Sequence, residues 1–339
     1  MSTIMPPTAA SQTGSARAEG MLLPAVSSLG EYRRVYRDEH AWLPAMRAVC
    51  AQQGLDPAEL AFAPPGTHVV FRAGEELYIK LFAPLWGSDY ASERAVLAAL
   101  TNAPDRSVPR LVAEGEIEGW PYVVITAVKG APLREVWHGL GADERLGIAQ
   151  QCGAFMAWLH TRPVTELEGI AVDWPTFLGK QTEACIERVV DAGLGQGWVT
   201  SVRALLERVS TTREAGFRPV LLSADVTDEH VMVERRDGKW CFAGYIDFGD
   251  AMLGHPLYEF AAPGCTITRG VPALTRALLL GYGYSEPELV SDLAERLTAY
   301  TLLHCFVTVS DLLALFGHDR PATLEELQRR LWPLGEQAD

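Results

Sequence analysis

The spacing of apolar positions changes along this chain, and the change divides it in two. Three short runs near the N-terminus have the length and β-branched character of strands: Glu59 to Ala63, Thr67 to Ala73 and Glu76 to Phe82. Pro64-Pro65-Gly66 separates the first two, and Gly74-Glu75 separates the second and third. Ahead of them, Glu31 to Gln53 mixes charges with Tyr32, Val35, Tyr36, Trp42, Leu43, Met46 and Val49, which predicts one or two short helices. Behind them, Ser88 or Asp89 can cap a helix running to about Leu100, with Val96, Leu97 and Leu100 on its apolar face. A further β-branched run, Trp120 to Val128, predicts another strand, and Lys129-Gly130-Ala131-Pro132 breaks it.

From there the period becomes helical. Leu146, Ala149, Cys152, Gly153, Met156 and Leu159 recur at helix spacing over Asp143 to His160. Lys180 to Val190 and Val199 to Val209 are expected helices as well. A β-rich segment, Val220 to Phe248, follows, with a hairpin turn at Asp237-Gly238. Pro272 to Trp332 is mostly helical in pattern. The order describes an α+β protein: a small β-rich lobe over residues 26–128, a hinge near residues 126–132, and a larger, mainly helical lobe over 129–339. Residues 1–25 are expected to form a mobile tail, because Met1 to Gly20 is rich in Ser, Thr, Ala and Pro.

Composition narrows the function classes. A chain of 339 residues, 48% hydrophobic and 21% charged, has room for one large domain or two lobes with a substantial core. The net charge of −14 argues against broad nucleic-acid binding, which needs a basic face. An acidic surface steers cationic ligands, although acidity also serves solubility alone. None of the six cysteines lies in a CxxC pair or near a His at zinc spacing, so they read as reduced thiols of a cytoplasmic protein. No run of about 18 apolar residues is present, so no membrane span is expected.

The chemistry concentrates between Leu221 and Phe260. Val220-Leu221-Leu222 is a buried-strand run leading into Ser223-Ala224-Asp225, and His230 follows Asp225 by five residues. After the hairpin, another strand ends in Ile246-Asp247-Phe248-Gly249. A kinase site needs one carboxylate to accept a hydroxyl proton and a second to hold Mg²⁺ on the phosphates. A short hairpin between two carboxylates returns them to one place. In the first lobe, Lys80 ends a strand and Glu93 lies on the next helix, a pairing suited to the α- and β-phosphates of ATP but weak as a signal by itself. Gly66 is the one residue of its turn that lets phosphates approach the backbone closely, and a plain turn explains it equally well.

These motifs resemble those of the aminoglycoside phosphotransferase and choline kinase family, a branch of the protein-kinase-like fold. The resemblance spans roughly residues 58 to 315. Leu221-Leu222-Ser223-Ala224-Asp225 is similar to the His-Gly-Asp-x₄-Asn catalytic loop, and Ile246-Asp247-Phe248 to the metal motif. Gly254-His255-Pro256-Leu257-Tyr258-Glu259 is similar to the Gly-Asp-Pro-x-Tyr-Asp segment. Trp158-Leu159-His160 resembles the end of the family's long helix. The resemblance implies a bilobal fold, ATP and Mg²⁺ as cofactors, Asp225 as catalytic aspartate, and Asp247 as a metal ligand. It implies Lys80 and Glu93 as the phosphate-positioning pair, and adenine hydrogen bonds from the backbone of Thr126 to Val128. The space between Gly249 and Pro256 has no room for an activation segment, so a small hydroxyl compound rather than a protein is the expected acceptor.

The departures are Ser223 and Ala224 for His and Gly, His255 for Asp, and His230 at the position of the metal-binding Asn. Imidazole is a poor substitute ligand for Mg²⁺. His230 therefore binds the metal or a phosphate directly, acts through a water, or has left the site. Asp228, Glu229 and Glu259 are the candidate contacts to a cationic acceptor, with Glu259, like Asp250, alternatively a buttress of the loop through hydrogen bonds. The leading expectation is transfer to an aminoglycoside or another antibiotic by a monomer or homodimer. A metabolic or biosynthetic kinase for a sugar or amino alcohol is the close alternative, and an ATP-binding pseudokinase is the alternative of another class.

Overall fold

A computed structural model describes residues 20–63, 66–101, 107–165, 167–213 and 217–335. The chain divides into two compact units, one ending at Val128 and the other beginning at Lys129. Most of the expected tail, residues 1–19, lies outside the described residues, as do Pro64 and Pro65. The last part of that tail is tied down: the N–H groups of Leu22 and Leu23 donate to the Glu118 carboxylate at 2.8 and 2.9 Å, and Leu23 is buried.

The N-terminal unit begins with two helices, α1 (Leu29–Val35) and α2 (Glu39–Gln53). Ser28 and Asp38 cap them by accepting N–H bonds, and Gly54 ends α2 at φ +68°. An antiparallel sheet follows in the order β1-β2-β3-β5-β4, built from β1 (Leu60–Phe62), β2 (Val69–Ala73), β3 (Leu77–Leu81), β4 (Leu111–Ile117) and β5 (Trp120–Thr126). Val69, Phe71, Ile79, Leu81, Tyr122 and Val124 share a core with Tyr32, Tyr36, Trp42, Met46 and Val49 of the two helices. Because side chains alternate along a strand, burying Ile79 and Leu81 in that core turns Lys80 to the opposite face.

Helix α3 (Gly87–Ala99) connects β3 to β4. The expected cap by Ser88 or Asp89 is not formed: Trp86 occupies the N-cap, Ser88 donates to Asp89, and Asp89 reaches His68 at 3.2 Å. Strand β4 has no counterpart in the sequence reading. Its Glu114, Gly115 and Glu116 are poor strand formers and conceal the alternation. Gly115 leaves room for the Tyr122 ring, whose hydroxyl would lie 2.5 Å from a Cβ at that position.

The C-terminal unit opens with β6 (Ala131–Pro132) and one-turn α4 (Leu133–Val136). Its helices are α5 (Ala142–His160), α6 (Trp174–Asp191), α7 (Gln196–Arg213), the short α8 (Ala261–Pro263), α9 (Pro272–Tyr282), α10 (Ser291–Leu303), α11 (Val309–Ala314) and α12 (Leu324–Leu331). Helix α6 opens at Trp174, with Pro175 in its first turn, six residues earlier than the apolar pattern places it. The segment Val220 to Phe248 is not one sheet. Strand β7 (Val220–Leu222) pairs with β10 (Met252–Gly254), while β8 (Val231–Arg236) and β9 (Lys239–Tyr245) form a hairpin with β6 at its edge. The turn is at Asp237-Gly238, both with positive φ, as a tight hairpin requires.

Helix α5 crosses α9 so closely that two glycines face backbone. A Cβ on Gly153 would lie 2.0 Å from the Leu278 carbonyl oxygen, and one on Gly281 would lie 2.0 Å from that of Gln150. At the end of this crossing His160 Nδ1, on α5, lies 2.9 Å from the Tyr282 hydroxyl on α9. Gly153→Ala is expected to destabilise the protein by about 2–3 kcal/mol, because backbone cannot yield as a side-chain tip can. Urea denaturation of the variant checks this, and unchanged stability would mean the helices are not held at this separation.

Candidate active site

In the N-terminal unit, the Lys80 ammonium of β3 lies 2.6 Å from the Glu93 carboxylate of α3, and both residues are buried. The ammonium also stands 5.2 Å over the Phe82 ring. A buried ion pair roughly breaks even in stability, since desolvation offsets attraction. Its presence therefore says more about holding a cation at a chosen point than about folding. The expected phosphate-facing N–H of Gly66 is donated to the Tyr36 hydroxyl. Thr126 and Ala127 donate their N–H groups to the carbonyls of Arg110 and Glu76 at 3.0 and 2.8 Å, and Val128 is buried.

In the C-terminal unit, β7 delivers a loop whose residues are each held. The Ser223 hydroxyl donates to Glu259 at 2.5 Å, and the Ala224 N–H points to the other oxygen of that carboxylate at 3.4 Å. Ala224 adopts φ +61°, the left-handed region, which costs a residue with a Cβ about 1–2 kcal/mol. Its carbonyl accepts from His304 Nε2 at 2.9 Å. Burial pulls the His304 imidazole down to about 4, so it is neutral with its proton on Nε2. The Asp225 carbonyl accepts from the Tyr245 hydroxyl at 3.1 Å and lies 3.1 Å from His230 Nδ1. The Asp225 carboxylate lies 3.2 Å from the same nitrogen.

The hairpin explains how Asp247 returns to this loop. Val231 pairs with Tyr245, and the Ile246 N–H donates to the His230 carbonyl at 3.0 Å, so Asp247 follows directly beside His230. Asp247 has φ +74° and accepts the Gly249 N–H at 3.0 Å, a local turn that sets its carboxylate. Burial would raise the Asp225 pKa, but the hydrogen bond and charge of His230 win and lower it. Burial likewise pulls His230 down, yet Asp225, helped by the charge of Asp247, holds it up at about 9.

The three candidate acceptor contacts are engaged inside the protein. Arg134 of α4 binds the carboxylates of both Asp228, at 3.0 Å, and Glu229, and its N–H donates to the Asp228 carbonyl at 2.8 Å. Glu259 is fully buried under Ser223 and Ala224, with His160 Nε2 3.6 Å away. It supports the loop and cannot face an acceptor. His255 replaces a capping carboxylate: its Nδ1 accepts the Leu257 N–H at 3.1 Å while its ring stacks on Tyr300, and burial holds its pKa down to about 4. Arg134, Tyr245 and His304 were missed from the sequence. Tyr245 adjoins the Ile-Asp-Phe motif and could have been flagged, whereas Arg134 and His304 lie 91 and 79 residues from Asp225 with no local signal.

Comparison with known proteins decides the family. A model of the phosphotransferase enzyme family matches residues 65–292, more than half of the chain. The chain belongs to this family. It is a small-molecule phosphotransferase acting on hydroxyl groups. No curated protein sequence matches it. Among solved structures, the GDP complex of aminoglycoside 2′-phosphotransferase-IIIa is similar at 18% identity and TM-score 0.63, covering 85% of this chain and 98% of that one. The streptomycin–ATP complex of APH(2″)-IIa matches at 16% identity and TM-score 0.55, covering 86% and 96%. APH(3″)-Id from Streptomyces rimosus matches at 18% identity and TM-score 0.55, covering 78% and 97%. At these identities the likeness establishes the kinase-like α+β fold. Among the described residues no helix is long and apolar enough to cross a membrane.

The His230–Asp225 pair gives stability a pH dependence of definite sign. His230 is raised from 6.5 to about 9, so its contribution is complete below pH 6.5 and is lost as pH rises towards 9. Asp225 is lowered from 3.8, so its contribution is present above that pH and is lost as pH falls through the lowered value. Thermal melts of the phosphotransferase are expected to show a loss of stability from pH 7 to 9 that His230→Gln lacks. Parallel profiles for the two proteins would contradict the pairing.

Proposed function

We propose that this phosphotransferase moves the γ-phosphoryl group of ATP to a hydroxyl of a small molecule, with Asp225 as the catalytic base. The observation that carries this reading is the restraint on Asp225. Its loop is bound through Ser223, Ala224 and its own carbonyl, and its carboxyl is kept ionised by His230. A carboxylate so held accepts the acceptor's proton while the hydroxyl oxygen bonds to the γ-phosphorus and the bond from phosphorus to the ADP oxygen breaks. Lys80, steadied by Glu93, supplies positive charge for the α- and β-phosphates.

Mg²⁺ fits Asp247, a hard carboxylate donor set by its own turn. No cluster of three or more His, Cys, Asp or Glu able to hold a metal ion is found among the described residues. That suits Mg²⁺, which keeps waters and takes phosphate oxygens along with one or two carboxylates. When bound, it neutralises charge on the phosphates.

The proposed acceptor class is aminoglycosides, supported by structural neighbours described as complexes with kanamycin, streptomycin and gentamicin. One observation favours a second reading, a metabolic kinase for a sugar or amino alcohol. Arg134 pairs with both Asp228 and Glu229 and offsets one of their two charges, so the loop offers less negative charge to a polycation than its sequence suggests.

A phosphoryl-transfer screen with ATP and GTP against aminoglycosides, other antibiotics, sugars and amino alcohols tests both readings. Asp225→Asn is expected to lower turnover on the acceptor found by about 10²–10⁴-fold while nucleotide binding persists. Full activity in that variant would sink the mechanism. Lys80→Ala is expected instead to weaken productive nucleotide binding, read as a higher KM for ATP with a lower kcat.

A further inference from the structure

His230 stands where the family resemblance places a metal-binding Asn, and its surroundings are those of a different task. Its Nδ1 faces three oxygens: Asp225 Oδ2 at 3.2 Å, the Asp225 carbonyl at 3.1 Å and the Thr227 hydroxyl at 3.3 Å. A carboxylate and a carbonyl only accept, so the nitrogen between them must carry a proton and donate. A protonated nitrogen has no lone pair for a metal. The ring is also fixed from outside the loop. Its backbone N–H donates to the Thr227 carbonyl at 3.2 Å, its carbonyl accepts from Ile246, and its edge meets the Tyr245 ring at 86°.

We infer that His230 is a positioning residue for Asp225 and not a ligand of the metal. The inference rests on the proposed role of Asp225. The far nitrogen, Nε2, is the one route to ligation, since a carboxylate on Nδ1 also orients many zinc-bound histidines. Mg²⁺ weighs against that route, because it prefers oxygen and dehydrates reluctantly. The gain from Nδ1 is orientation. A donor on Oδ2, together with the Tyr245 hydroxyl on the carbonyl of the same residue, fixes both the backbone and the rotation of the carboxylate that takes the proton. In this enzyme, then, the substitution at the Asn position withdraws one side chain from the metal and spends it on the base.

Mn²⁺ with ADP is the probe for ligation, read by electron spin-echo modulation of the bound ion. Wild-type protein is expected to show no ¹⁴N modulation from a coordinated imidazole. Such modulation in the wild type, lost in His230→Asn, would overturn the inference without touching the role of Asp225. Kinetics on the acceptor found in the screen provides the second readout. His230→Ala is expected to lower kcat about 10–100-fold with the Mg²⁺ half-saturation and the KM for ATP nearly unchanged. His230→Asn, which returns an N–H donor near the position of Nδ1 and stays close in size if the Ala variant folds poorly, is expected to recover most of that loss. A Mg²⁺ half-saturation raised tenfold or more with kcat unchanged, or no change in either, would overturn the positioning role. Asp225→Asn run alongside separates the readings: if it is fully active, the base assignment falls while the spin-echo result still decides ligation.

Discussion

Glu259 is a fully buried carboxylate, and the loop carrying Asp225 is the partner that keeps it satisfied. A buried charge without hydrogen bonds is too costly to persist, so the chain must bring donors to it. The donors are the Ser223 hydroxyl and the Ala224 N–H, which forces the loop to turn at Ala224 with a positive φ. That turn in its own right is unfavourable for alanine, and His304 offsets it by donating to the Ala224 carbonyl from the far end of α10. The position of Asp225 is thus set by groups on either side of it along the chain and by two buried residues beneath.

The unusual residues of this loop read as a set once their contacts are known. Ser223 serves Glu259, His255 caps the turn that carries Glu259, and His230 serves Asp225. Each replaces a residue expected at its position and satisfies a neighbouring polar group in the protein. The residues that depart from the expected motif are therefore altered in type but engaged in hydrogen bonds of their own.

Asp228 and Glu229 illustrate how charge read from sequence misleads. Both stand within four residues of Asp225 and look available to a cation. Arg134, almost a hundred residues earlier, lies against both carboxylates and offsets part of their charge. Ion pairing between distant segments leaves no trace in the spacing of either one.

Local pattern was enough for the elements and the motif. The period-2 runs around Phe71 and Ile79, the helical period of Asp143 to His160, and the Asp237-Gly238 turn follow from side-chain geometry over a few residues, and all appear in the structure. The same local logic marked Lys80, Glu93, Asp225 and Asp247, because strand ends and a short hairpin constrain where their side chains emerge. Strand β4, the pairing of β7 with β10 rather than β8, the engagement of Arg134 and the support from His304 depended on contacts between segments far apart in the chain. So did the task of His230. The sequence by itself marked two carboxylates and a lysine as the candidates for phosphoryl transfer. Only the tertiary structure decided which buried groups hold them, because hydrogen bonds and ion pairs form between neighbours in space, whatever their distance along the chain.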